Sequence, residues 1–97
     1  MHAKGLMAEI IGSVREEYED LGVSIPSSDI RGRSRVRVVS QARAAVARRA
    51  YETGLVTLDT IGAELGGRDH STVRYLIIQA GGQTHADRVA ELAKGGE

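Results

Sequence analysis

The chain has 97 residues, no Cys, no Trp, no Phe and a formal net charge of zero, with 13 basic and 13 acidic side chains. That length makes one domain, residues 1–97, around one modest core of Leu, Ile, Val and Ala, and the missing Cys removes disulfides and thiolate chemistry. No apolar run approaches the ~18 residues of a membrane span, and no long apolar segment follows Met1-His2-Ala3-Lys4-Gly5 as it would in a signal peptide, so a cytoplasmic location is expected.

The first helix is predicted over Leu6–Leu21. Leu6, Ile10, Val14, Tyr18 and Leu21 form its apolar stripe. Gly22 is a natural stop. Residues 1–22 read as an acidic helical segment, and residues 1–29 carry a balance of −4. Glu16, Glu17, Glu19 and Asp20 cluster at the carboxyl end, where they oppose the helix dipole, so fraying is expected there. Val23 to Ser28, with the only proline, Pro26, reads as a linker.

Asp29-Ile30 leads into an extended basic loop, Arg31-Gly32-Arg33-Ser34-Arg35-Val36-Arg37. Residues 30–51 hold seven Arg (31, 33, 35, 37, 43, 48 and 49) and no acid. A block of +7 inside a neutral chain is a local footprint for a polyanion. A salt-bridged surface helix would interleave acids. Pairing of some Arg with the acidic first helix is the structural alternative. A second helix is predicted over Val38–Thr53, with Val39, Ala42, Val46 and Ala50 inward, Arg43 and Arg48 away from that stripe, and Gly54 at its end.

Thr57 is read as the N-cap of a third helix, Leu58–Leu65, with Leu58, Ile61 and Leu65 buried. Gly66-Gly67 supply a tight turn. Asp69 then caps a fourth helix, His70–Ala80, whose apolar side is Val73, Leu76, Ile77 and Ala80. Gly81-Gly82 breaks it. Thr84 with Asp87 resembles a capping box for a C-terminal helix within residues 83–94, held by Ala86, Val89 and Leu92 or Ala93. There is no strand alternation and no repeat. The expected fold is all-α, a small bundle of about five helices, with residues 30–80 as basic loop and helical core.

The third helix, the Gly turn and a fourth helix with a polar first turn make the pattern of a helix-turn-helix. In such a motif the first turn of the second helix meets base edges. The run Gly66-Gly67-Arg68-Asp69-His70-Ser71-Thr72-Val73 resembles the signature of the C-terminal DNA-binding domain of the bacterial replication initiator DnaA, a Trp-repressor-like helix-turn-helix. The likeness extends from about Ile10 to Ile78. It includes the Tyr18 region, Asp29-Ile30, the Arg-rich loop, Gln41 and Leu58-x-x-Ile61-Gly62.

The resemblance implies base contacts from Asp69, His70 and Ser71 and a phosphate contact from Thr72. Arg74, on the same helix, is also expected near bases. Asp69 can both cap its helix and accept from a cytosine amino group. Ser71 lacks the methyl that a Thr would pack against thymine. Arg31, Arg33, Arg35 and Arg37 are expected to neutralise phosphates, and Arg68 to reach one from the turn. The amino end of the third helix, at Thr57 or Leu58, can donate N–H groups to another. The family places an Arg before the Gln in the minor groove. Here Gln41 follows Ser40, so Arg37 or Arg43 supplies that group or it is missing. The loop is a few residues shorter than the family's, and Asp59 stands where many members carry Pro.

No G-x-x-x-x-G-K-[ST] loop is present, so no nucleotide is expected to bind or be hydrolysed. His2, His70 and His85 have no metal-ligand spacing. Asp69-His70 has no nucleophile in triad geometry. Neither a cofactor nor catalysis is expected.

The leading expectation is a double-stranded DNA-binding protein of this type, nucleoid-associated and monomeric on DNA, that regulates replication or transcription without an ATPase. Met1 and the acidic first helix suit a complete small protein, and an excised domain is the alternative. A second expectation is an interaction or decoy module that binds a replication initiator or another regulatory protein through the acidic first helix.

Overall fold

The computed structural model describes residues 3–81. Five helices are present among them: α1 Ala3–Asp20, α2 Ser27–Ile30, α3 Arg37–Glu52, α4 Leu58–Glu64 and α5 His70–Gln79. The described residues contain no strand, and none of their helices is long and apolar enough to cross a membrane. The fold is all-α, as the periodicity predicts. The helix expected within residues 83–94 lies outside the described residues.

The four helices expected before that one are present, with ends within a few residues of expectation. α2 is an addition. The segment read as a linker closes into a single turn after Pro26, with Asp29 and Arg31 N–H groups donating to the Pro26 and Ser27 carbonyls at 3.0 and 2.9 Å. Its last residue, Ile30, is fully buried. The segment ahead of it is fixed by Arg15, whose Nε donates to the Ile25 carbonyl at 2.6 Å.

α3 is the central element. Val39, Ala42, Ala44, Val46, Ala47 and Ala50 are buried, and α1, α2, α4 and α5 all pack on it. Small Ala side chains let helices approach closely where there is no Phe or Trp to fill a wider gap. α1 contributes Met7, Ile11 and Val14 as its buried row, rather than the Leu6-Ile10-Val14-Tyr18-Leu21 stripe. The reason is geometric. Steps of four residues overshoot a helix with about 3.6 residues per turn, so that stripe winds off the core-facing side. Leu6, Ile10 and Tyr18 are half-buried flanks, and Leu21, beyond the helix end, is 79% exposed.

The acidic end of α1 is closed, not frayed. Val23 N–H donates to the Tyr18 carbonyl and Gly22 N–H to the Glu19 carbonyl, both at 2.9 Å, with Gly22 at φ +83°. This is a Schellman turn. Arg49 of α3 also forks onto Glu17, two bonds of 2.5 Å. That pair holds the Glu17 carboxyl below the usual carboxylate range, chiefly through the Arg49 hydrogen bonds.

Arg43 is the other departure. It was expected away from the inward stripe, but it is only 3% exposed and is the one buried charged residue among those described. Positions 39, 42, 43, 46 and 50 share one helical face, so Arg43 points inward with Ala42. Burial lowers the affinity of its guanidinium for the proton, the charge of Arg68 adds to that, and Asp29 opposes it. No buried side-chain nitrogen or oxygen among the described residues lacks a partner.

Candidate nucleic-acid interface

α4, its turn and α5 form the helix-turn-helix. Thr57 caps α4, its Oγ1 accepting from Thr60 N–H at 3.1 Å. The turn depends on two consecutive left-handed residues, Gly66 at φ +87° and Gly67 at φ +73°. Gly66 also has no room for a side chain: a Cβ there would stand 2.8 Å from the Arg31 carbonyl oxygen. Arg68 N–H donates back to the Gly62 carbonyl at 2.9 Å, which locks the turn onto α4. A Cβ at Gly62 would run into the Arg68 carbonyl oxygen, so a glycine inside α4 sets how closely the turn folds back.

α5 starts at a true cap. Asp69 Oδ1 accepts from Thr72 N–H at 2.9 Å. The Thr72 backbone bond, then its hydroxyl, hold the Asp69 carboxyl below its ordinary range. Asp69, His70, Ser71, Thr72 and Arg74 are all exposed, while Val73, Leu76 and Ile77 anchor the opposite side. His70 Nδ1 lies 3.7 Å from Asp59 Oδ1 across the motif. Tyr75, 63% exposed, stands one turn beyond Ser71 and so on its face; the hydropathy pattern did not single it out.

The basic loop meets the turn ahead of α5, and the first turns of α3 run beside the carboxyl end of α5. Near the amino end of α5, Arg33 Nη2 donates to the Gly66 carbonyl at 3.2 Å, and Arg68 Nη1 donates to the Gly32 carbonyl at 2.9 Å and to that of Leu65. Near its carboxyl end, Arg37, Ser40, Gln41 and Ala44 line a shallow groove with Gln79 and Ala80. Arg33, Arg35, Arg37 and Gln41 are exposed along this strip. Burial, and after it the charge of Arg33, lowers the proton affinity of Arg68. Like charges therefore converge beside an exposed helix start, and an anion placed there relieves their repulsion.

The chain is matched over residues 7–79 by a family model, that of the bacterial DnaA protein helix-turn-helix. The chain belongs to the bacterial DnaA helix-turn-helix family. No solved structure matches it. Membership makes this a DNA-binding helix-turn-helix, and α5 corresponds to the fourth helix read from the sequence.

Within the DnaA-type motif, the basic residues divide into two sets. Arg33, Arg35 and Arg37 face outward. Arg31 is held by Glu64 of α4 at 2.6 Å, Arg48 donates to Glu52 and to the Ala80 carbonyl that ends α5, and Arg49 holds Glu17. Arg43, one of two residues considered for the minor-groove position, is turned inside: its nitrogens bond the Asp29, Ile30 and Ser34 carbonyls. In the sequence its charge points outward, while its spacing in step with Val39, Ala42 and Val46 points inward. Arg74 is exposed and also interacts within the protein.

Proposed function

We propose that this protein is a sequence-preferring binder of double-stranded DNA that reads a DnaA-type box with the first turn of α5 and regulates replication or transcription by occupying it. The observation that carries this is the exposed row Asp69, His70, Ser71 and Thr72 on a capped helix start, flanked by the outward Arg33, Arg35 and Arg37. His70 and Ser71 read base edges in the major groove, with Arg74 one turn further on. Asp69 combines its cap with acceptance from a cytosine amino group. Thr72 takes a phosphate, and Arg33, Arg35 and Arg37 take others. Arg37 and Gln41 face the minor groove, since the Arg43 guanidinium is committed inside the protein. Arg31 and Arg68 contribute mainly by holding loop and turn together, and exposed Thr57 sits where α4 crosses the backbone. The protein acts without nucleotide hydrolysis, as a monomer on an asymmetric box, associated with the nucleoid.

Two substitutions test the division of labour. His70→Ala is expected to lower discrimination between box and scrambled duplex by about 1–3 kcal/mol. Arg33→Ala is expected to weaken both duplexes alike and to reduce the salt slope by about one. A His70→Ala protein that loses affinity equally for every sequence contradicts base reading by α5. A tight complex with a replication initiator, coupled with indifferent DNA binding, points to a decoy instead.

A further inference from the structure

We propose that Arg43 is a positioning residue that preorganises the basic loop for phosphate binding, an inference that rests on the DNA-binding reading above. The residues 29–34 form an arch. At its entering foot, Arg43 Nε donates to the Ile30 carbonyl at 2.9 Å and Nη2 to the Asp29 carbonyl at 2.8 Å. At its leaving foot, Nη1 donates to the Ser34 carbonyl at 3.0 Å. One guanidinium thus pins both feet, and Arg31-Gly32-Arg33 is the span between them. The crown meets the helix-turn-helix turn, through Arg68 to the Gly32 carbonyl and Arg33 to the Gly66 carbonyl. Pinning the feet therefore also fixes the arch against the residues that start α5.

A core does not need an Arg here. Burying a guanidinium carries a desolvation penalty, and an Ala or Val would fill the α3 face. The Asp29 and Ile30 carbonyls lie at the carboxyl end of α2, where the arch begins, and the Ser34 carbonyl lies where it ends. What Arg43 contributes is a fixed loop. Ordering a free Arg-rich loop on DNA costs affinity at the moment of binding, and a loop ordered beforehand avoids that cost. Lys cannot replace the fork, because its donors radiate from a single nitrogen.

The test uses Arg43→Lys and Arg43→Met, the second keeping an apolar stem while removing the charge and the donors. Both are checked by thermal melting and studied where they are folded. In the free protein, amide exchange at Arg31, Gly32 and Val36 is expected to accelerate in both variants. Unchanged exchange overturns the proposal without reference to DNA. In binding, both variants are expected to lose roughly tenfold in affinity for box and scrambled duplex alike, with the salt slope unchanged. Arg35→Ala should then cost less in the Arg43→Lys background than in the wild type. A slope reduced by about one in Arg43→Met, with the exchange unchanged, means that Arg43 itself meets a phosphate. Wild-type affinity in a folded Arg43→Lys protein with a loosened arch also overturns the proposal. A wild-type chain that binds no duplex refutes the DNA-binding reading, and the exchange rates still decide whether Arg43 orders the arch.

Discussion

Asp69 is both the cap of α5 and part of its exposed first-turn row. Its carboxylate closes the first turn of α5 through Thr72, and the same turn presents His70 and Ser71. Its carboxyl in the folded chain is held below the ordinary value for an Asp. The charged cap therefore stabilises the fold above that value and is lost as pH falls through the depressed one. Asp69→Asn keeps a good capping residue without the charge. The wild type is thus expected to melt above Asp69→Asn at neutral pH, with the gap closing below about pH 4. Circular-dichroism melts from acid to neutral pH check this; a gap independent of pH contradicts it. The cap was legible because Asp before a polar helix start is a local signal. For Arg43 the inward position follows from its spacing to Val39, Ala42 and Val46, but its partners do not, because they are carbonyls of a segment whose path no local pattern gives.

At the scale of elements, the helix boundaries followed from Gly22, Gly54, Thr57, the Gly66-Gly67 pair and Asp69, all of which act on their immediate neighbours. α2 did not, since a single turn has no periodicity to read. Ile25 and Val56, between helices, and Ile30, at the end of α2, are buried, and isolated apolar residues outside a stripe carry no directional signal. The motif's tightest contact makes an element-scale prediction. Gly→Ala in a helix interior ordinarily stabilises by about 0.5–1 kcal/mol. Gly12→Ala in α1, with open space around the added carbon, is expected to follow that rule. Gly62→Ala is expected to reverse it and destabilise by about 1–3 kcal/mol through overpacking, because the methyl meets the Arg68 carbonyl. Denaturant unfolding of the two variants compares the signs directly; stabilisation by both shows that α4 and the turn are not held at this spacing.

Over the whole molecule, zero net charge conceals a separation that the sequence shows plainly and a division of roles that only the fold reveals. Seven Arg lie within residues 30–51. Arg31, Arg48 and Arg49 have acidic partners and Arg43 is internal. Arg33, Arg35 and Arg37 remain exposed. Counting Arg in the sequence therefore overstates the number without an acidic partner or an internal place. Glu52 pairs with Arg48 one turn away within α3, whereas Glu17 of α1 and Glu64 of α4 reach Arg49 and Arg31 only through the packing of the helices.

The central claim is best tested by fluorescence anisotropy of the unmodified protein on a labelled DnaA-box duplex and a scrambled duplex, between about 50 and 200 mM salt. The account predicts that the box is preferred throughout the range. It also predicts that affinity falls with a log–log salt slope of about −3, from three loop arginines, and not the roughly −6 of all seven. Equal binding of the two duplexes that disappears as salt rises would contradict sequence reading by α5, and a slope near −6 would contradict the division of the arginines.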